Sequence, residues 1–398
     1  MNMPRVLQIN VTANSGSHGI IAENIGVLAQ KKGWQSIIAY GRLARPSASE
    51  LIRIGSDFDV KEHGIESRLL DNHGLASRHA TRKLIDKIEN LSPDIIHLHN
   101  IHGYYLNYKI LFDYLLWKNI PVVWTLHDCW PFTGHCAHFE YDGCYKWKTE
   151  CAHCQFKSVY PSSILMERSM RNFQLKRQCF TSLKNLTLIP VSDWLDRLLK
   201  DSFLYKHHSM VIHNGVDIDT FKPRNEKRNC GDIEILGVAS NWKMRKGLPD
   251  FVQLRMLLPE NYHITLIGLT KDEIRCLPQG IHGIERTSNV NELVSCYNKA
   301  DVFVNPTYED NFPTVNIEAL ACGTPVLTYR TGGSPEAISA ETGWVVDQGD
   351  VMRIAEILRS ELRGVKREDC RKRAEEIFDN RKCFASYIEL YEQLLCSI

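Results

Sequence analysis

Long apolar runs are missing from this 398-residue chain: no stretch approaches the ~20 apolar residues that a membrane-spanning helix needs. An excess of one charge is missing too. The 48 Lys and Arg against 47 Asp and Glu leave a formal net charge of +1. A dedicated nucleic-acid binder would carry a clear basic excess, so no nucleic-acid partner is expected. The first strand-like run, Val6 to Val11, is too short for a signal peptide, which sets the expectation of a cytoplasmic protein. A paired cysteine framework is also lacking. Thirteen cysteines, an odd number, do not suit closed disulfide pairing. Cys179, Cys276, Cys296 and Cys322 sit in apolar contexts, where a small buried hydrophobe is the plain reading.

What is present is alternation. Arg5–Val11 reads as a buried strand, followed by a small polar loop, Thr12–Gly19. A helix from about Ile20 to Lys32 follows, with Ile21, Ile25, Leu28 and Ala29 at helical spacing, and then a strand from Ser36 to Tyr40. Strand, glycine-bearing turn, helix and strand form the unit of a doubly wound α/β sheet. The rhythm continues to about residue 200, broken between 127 and 161, and restarts at Glu234. The expected organisation is an N-terminal Rossmann-like domain over 1–212 with a Cys-rich insertion at 129–160, a linker over 213–232, and a C-terminal Rossmann-like domain over 233–380. A last helix over 381–398 would cross back to the first domain. Two such arrays would bind a ligand at the carboxyl ends of their strands.

The most informative segment runs from Asn305 to Val326, Asn-Pro-Thr-Tyr-Glu-Asp-Asn-Phe-Pro-Thr-Val-Asn-Ile-Glu-Ala-Leu-Ala-Cys-Gly-Thr-Pro-Val. A strand enters a polar loop in which Asp310 or Asn311 is expected to cap a helix with Pro313 in its first turn and Gly323 at its end. The amides of Thr314 and Val315 would then face outward with the positive end of the helix dipole, a seat for a diphosphate. Glu318, one turn further in, has the acceptor pair to take both hydroxyls of a ribose. The plain alternative is a capped surface helix.

This segment resembles the signature of the retaining glycosyltransferases of family 4: an acid, seven residues, a Glu, and then Ala-x-Ala-x-Gly-x-Pro-Val. Asp310 stands where the family usually has Glu, and Glu309 is the other candidate. The resemblance implies that the first acid lies near the donor sugar and that Glu318 holds the nucleotide ribose. It also implies the GT-B fold, two Rossmann-like domains facing across a cleft. In Gly237–Gly247 the family has an Arg and, five residues later, Lys-Gly facing the diphosphate. Lys246-Gly247 matches the second part, while Asn241 occupies the Arg position, with Lys243 and Arg245 as substitutes. His213–Asp217 resembles the interdomain hinge and Thr331–Glu336 the following glycine loop.

In the first half, Gly16 and Gly19 sit where the family places a glycine-rich turn near the donor. His127, at the end of an apolar strand, matches the active-site histidine that contacts the donor sugar. His97, His99 and His102 are read as packing or acceptor-pocket residues, because no nearby carboxylate or thiol completes a metal set. Cys136, Cys144, Cys151 and Cys154, separated by seven, six and two residues, have the donor set for a structural zinc stapling an insertion without a core of its own. Disulfides are the weaker alternative in a reducing compartment, and incidental buried cysteines are another. Such insertions, and the phrases Trp-Pro-Phe-Thr-Gly-His-Cys and Glu-Asp-Asn-Phe-Pro, resemble the colanic-acid and capsule subgroup. A basic helix over 162–184, with Arg168, Arg171, Lys176, Arg177 and Lys184 among apolar residues, suggests peripheral contact with the inner membrane surface or simply a solvated face.

The expected activity is transfer of a glycosyl group from a nucleotide sugar to a hydroxyl of a glycan or lipid-linked glycan, with no metal needed for the chemistry. Two rivals share the motifs: a non-hydrolysing sugar-nucleotide epimerase and a non-catalytic scaffold of a polysaccharide assembly.

Overall fold

The computed structural model describes residues 3–226, 231–242 and 244–396. The chain divides into two compact units, Met1–His213 with Phe384–Ile398, and Asn214–Cys383.

The first unit is built on a seven-stranded parallel sheet. Its strands are β1 (Arg5–Ala13), β2 (Gln35–Ala44), β3 (Glu50–Arg53), β4 (Ile95–Leu98), β5 (Val122–Leu126), β6 (Leu186–Pro190) and β7 (His208–Ser209), in the order β3-β2-β1-β4-β5-β6-β7. Strands β4, β5 and β6 are buried on both faces, which is why they read as unbroken apolar runs. The helices are α1 (Gly16–Lys31), α2 (Asp57–Leu70), α3 (Arg78–Leu91), α4 (Tyr108–Lys118), α5 (Ser169–Phe180) and α6 (Asp193–Asp201). Helix α1 begins at Gly16, so Gly16 and Gly19 lie in its first turn and not in a preceding loop. Its face Ile21, Ala22, Ile25 and Ala29 is fully buried, at about 1.5–3 kcal/mol for each large aliphatic side chain.

The second unit carries a six-stranded parallel sheet. Its strands are β8 (Ile233–Val238), β9 (Tyr262–Ile267), β10 (Ile281–Ile284), β11 (Val302–Asn305), β12 (Val326–Tyr329) and β13 (Gly343–Val346), in the order β10-β9-β8-β11-β12-β13. Between and after them run α7 (Leu248–Leu257), α8 (Lys271–Arg275), α9 (Val290–Lys299), α10 (Thr314–Ala321), α11 (Val351–Ser360) and α12 (Arg367–Ile377), and the chain then enters α13 (Asn380–Cys396), which belongs to the first unit from Phe384 on. Phe251, Leu254, Ile264, Leu266, Val302, Val304 and Leu327 form its core. The expected α/β class, two Rossmann-like sheets with closing helices, is the architecture found. Residues 214–221 lie on the second unit: Val216 exchanges backbone hydrogen bonds with Phe378 and Asn380, and Arg371 donates to the carbonyls of Ile218 and Phe221.

Two expectations need correction here. The basic helix is shorter than 162–184, because α5 spans only Ser169–Phe180. Its Lys176 is withdrawn from any solvated face: the ammonium donates to the carbonyls of Trp130 (2.7 Å) and Thr133 (3.1 Å) and lies 3.5 Å from the Trp130 ring centre. A lysine stem covers apolar surface readily, and here the buried head is satisfied by carbonyls. The insertion over 129–160 also has a small core of its own. Phe132, Phe139 and Trp147 are buried against one another at ring-centre distances of 5.0–6.3 Å.

Candidate functional site

In the first unit the informative side chains gather at the carboxyl ends of β1, β4 and β5, the sheet's central strands. Gly16 has φ +69, and a Cβ on Gly19 would stand 2.6 Å from Thr12 Oγ1, so the turn from β1 into α1 closes only around a bare backbone. His18, beside them, lies 5.9 Å ring to ring from His127. His97 and His99 point the same way, as strand alternation requires, with rings 4.1 Å apart.

A hydrogen-bond chain sets the tautomers. The Gln8 amide donates to Ala22 O (2.8 Å), so its oxygen faces His99 Nε2 at 2.9 Å and accepts from it. His99 Nδ1 is then the acceptor for His127 Nε2–H at 3.2 Å, which leaves Nδ1 as the acceptor nitrogen of the neutral His127 ring. Burial, then the neighbouring His99 and His18, hold His127 well below the ordinary imidazole range. Burial and then His102 bring His18 down to about 4. The rings are therefore neutral at physiological pH, poised to exchange hydrogen bonds with hydroxyls.

The expectation that no carboxylate attends these histidines is wrong for His102. Its Nε2 lies 2.7 Å from Asp128 Oδ2, and Asp128 Oδ1 accepts from Trp130 N at 2.9 Å. Against the upward pull of burial, the His102 imidazole and these donors hold the Asp128 carboxyl well below the usual range. His97 is a packing residue: it is bound to Thr125 Oγ1 (2.8 Å) and Tyr391 OH (2.6 Å) in the interior.

The second unit presents its own cluster at the ends of β8, β11 and β12. Helix α10 starts at Thr314 with Pro313 as the N-cap residue, in extended backbone and with no side-chain cap. Asp310 and Asn311 therefore do not cap it, contrary to the sequence reading. Asp310 is instead drawn to Lys246, its Oδ2 lying 2.5 Å from Nζ, in a partly exposed ion pair. Its carbonyl accepts from Gly333 N at 3.2 Å, joining it to the glycine loop after β12. Asn316 N turns back to Pro313 O, while the Thr314 and Val315 amides precede any intrahelical acceptor. Thr314 N and Val315 N, the amides that the sequence reading assigned to a diphosphate, thus have no capping side chain over them.

Lys246 closes a short 3-10 turn, Met244–Lys246, and Gly247 follows with φ +75. A Cβ there would be 2.2 Å from Pro306 O, so the glycine lets the lysine turn sit directly on the β11 loop. Arg245 braces that loop through its backbone: its carbonyl accepts from Tyr308 N (2.8 Å) and Thr307 Oγ1 (3.3 Å). Asn241 is exposed, Glu309 and Asn311 are buried, and Lys243 lies outside the described residues.

Glu318 lies one turn into α10. Burial pushes its carboxyl up to about 7, against hydrogen bonds from Tyr297 OH (3.0 Å) and the Thr314 hydroxyl. The residue keeps some exposed surface although its carboxyl lies deep, so desolvation is substantial without being complete. Beneath the loop, Asn316 links β11 to the glycine loop by bonds to Asn305 (2.8 Å) and Ser334 Oγ (3.0 Å). Asp250 accepts from both Tyr308 (3.2 Å) and Tyr329 (2.8 Å). Tyr297, Asn316, Ser334 and Asp250 escape the sequence reading. Of these, Asn316 left a signal, as a polar residue set between the apolar Val315 and Ile317.

Comparison with known proteins adds an independent line. Residues 21–220 match the family described as Glycosyltransferase Family 4, and residues 233–363 that described as Glycosyl transferases group 1. The chain is 25% identical to the putative colanic acid biosynthesis glycosyl transferase WcaC of Escherichia coli (strain K12), over 98% of this chain and 100% of that protein. Among solved structures it resembles the sucrose-phosphate synthase of Thermosynechococcus elongatus (TM-score 0.71, 17% identity, 99% and 100% of the two chains). Anabaena Alr3699/HepE, solved in complex with UDP, is similar at TM-score 0.65 and 12% identity, covering 98% and 100% of the two chains.

Proposed function

Because this chain belongs to glycosyltransferase family 4, and so is a nucleotide-sugar-dependent enzyme, we propose that it moves a sugar from a uridine diphosphate sugar to a hydroxyl of a glycan or lipid-linked glycan, with retained configuration, in building a bacterial surface polysaccharide. The observation that carries this reading is the second-unit cluster: two amides opening α10, the Lys246 ammonium against the same loop, and the Glu318 carboxyl one turn deeper.

Each group has a task in that reaction. Glu318 accepts the two ribose hydroxyls. Thr314 N, Val315 N and Lys246 receive the diphosphate, with Lys246 exchanging its Asp310 partner for phosphate oxygens. As the sugar–phosphate bond breaks, negative charge grows on the leaving diphosphate, and these fixed donors stabilise it without a metal. Asp310, released from the lysine, stands as the acid near the sugar.

A saturating uridine diphosphate sugar, at about a hundredfold over its Kd, should stabilise the protein by about 2.7 kcal/mol, read as a rise of several degrees in Tm. The best donor should then be consumed only with an acceptor present. No Tm shift with any nucleotide sugar would sink the reading, and donor conversion without acceptor would mark the epimerase instead.

Contact with a membrane surface rests on one patch. The backbone of Ile164 and Met166 is tied to the carbonyls of Arg68 and Leu69, while Ile164 (62%), Leu165 (66%), Met166 (41%) and Met170 (41%) stay exposed, as do Arg171 and Arg177 on α5. Binding to anionic vesicles should fall several-fold on Leu165→Glu and with added salt. Equal sedimentation of wild type and variant would leave the patch as plain surface.

A further inference from the structure

The first unit holds a second cluster of chemistry-bearing side chains that sugar transfer does not use. Cys136, Cys144, Cys151 and Cys154 line one small cavity, and His135 lines it with them. All four cysteines are free thiols.

His135 decides what the cavity is for. The residue is only 3% exposed, and its Nδ1 lies 2.7 Å from Asp71 Oδ1. Its Nε2 is buried and has no hydrogen-bond partner. Stranding a polar atom in this way costs about 1–3 kcal/mol, a cost that folds seldom carry without use. Asp71 is held in turn: Oδ2 accepts from Arg168 N at 2.8 Å, and its carbonyl from Asn172 Nδ2 at 2.7 Å. A fixed carboxylate accepting from Nδ1–H sets the tautomer and leaves a lone pair on Nε2, in a residue that lines the cavity with the thiols. Carboxylate, imidazole and a bare Nε2 is the arrangement in which histidine ligates a metal.

We propose that this cavity binds one divalent cation of zinc's class through His135 Nε2 and three of the four cysteine thiolates, with Asp71 orienting the imidazole. The mixed nitrogen and sulfur set suits zinc, and four protein ligands leave no open position, so the role is structural. Each thiol loses its proton to solvent on binding. Three thiolates around a dication leave one net negative charge, and the Lys146 ammonium stands at the cavity wall, donating to the carbonyls of Ala152 (2.9 Å) and His153 (3.1 Å). Among the described residues, no three of these ligand atoms lie within 4.8 Å of one another. Zinc–sulfur bonds of ~2.3 Å hold sulfurs roughly 3.8 Å apart, so the ion would draw its ligands closer together than they stand here. The same insertion carries Trp130 and Tyr160, which wall His102. The ion would therefore hold one side of the histidine cluster in shape.

The test is metal content of the full chain purified from zinc-supplemented cells. About one zinc per chain is expected, with loss of it and a lower Tm on chelation. His135→Ala should weaken zinc binding at least tenfold, and Asp71→Asn about tenfold. Cobalt loaded into the wild-type chain should give the tetrahedral spectrum of three thiolates and one nitrogen, which reads the ligand set even where a substitution prevents folding. A chain without stoichiometric zinc, a four-thiolate cobalt spectrum, or unchanged affinity in His135→Ala would overturn the proposal.

Discussion

Lys246→Ala should lower kcat by about 10²- to 10³-fold, the size of effect seen when one preorganised donor to a developing anion is removed. Donor affinity should fall less, because the α10 amides and Glu318 still hold the nucleotide. The structure adds a companion result. Lys246 is paired with Asp310 across 64 residues of sequence, so on the proposed reading a diphosphate competes with that carboxylate for the ammonium. Asp310→Asn should therefore tighten nucleotide binding modestly while depressing turnover, since the pair no longer competes but the acid near the sugar is gone. Steady-state kinetics with separately measured nucleotide Kd values checks both. If Lys246→Ala changed Kd and kcat by the same small factor, the lysine would be a surface cation only.

Glu318→Gln should weaken nucleotide binding by about 10²-fold, as charge-assisted hydrogen bonds to a carboxylate contribute ~1.5–3 kcal/mol each. The same substitution should stabilise the free protein. The carboxyl sits at about 7 in the folded chain against an ordinary value of 4.5. Between those values the folded state holds a proton that the unfolded state has released, so the glutamate costs stability progressively as pH rises through that window and fully above about 7. The gain from glutamine should be on the order of 1 kcal/mol at pH 8, reduced from the full shift because the residue keeps some solvent contact, and should vanish below pH 4.5. Ligation reverses the sign. Ribose hydroxyls donate to the ionised form, so nucleotide affinity should rise with pH up to about 7 and then level off, with a proton released on binding near pH 6.5. Calorimetry in two buffers of different ionisation enthalpy would detect that proton. Binding that is flat across this range would place the ribose elsewhere.

On the proposed reading the opposed effects of Glu318→Gln have one cause: the carboxylate buried beside Tyr297 costs the empty protein stability and serves the ribose as a preformed acceptor.

Much of the architecture was legible in the chain. Apolar strands buried on both faces, such as Ile95–Leu98 and Val122–Leu126, have no other use than the interior of a parallel sheet, and glycines at the strand-to-helix turns mark its units. His97 and His99 on one side follow from the two-residue period alone. Segments with local meaning, the Pro313 start and Gly323 end of α10, were also readable, because proline and glycine constrain backbone wherever they occur. The cap of that helix was misread for a physical reason. Local rules give Asp310 to the nearest free amides, but an ammonium folded in from Lys246 competes for the same carboxylate and wins it.

What the sequence by itself determined is thus the order of elements and the chemistry available at each strand end: an acid pair before a helix, a lysine before a glycine, a histidine after an apolar run. Periodicity and backbone restriction act over a few residues and survive without a partner. Only the tertiary structure decided which groups meet. It placed Asp128 against His102, Tyr297 against Glu318, Asp71 behind His135 and Lys176 under Trp130. Those pairings depend on desolvation and on sheet order, which bring distant residues together and which no local pattern encodes.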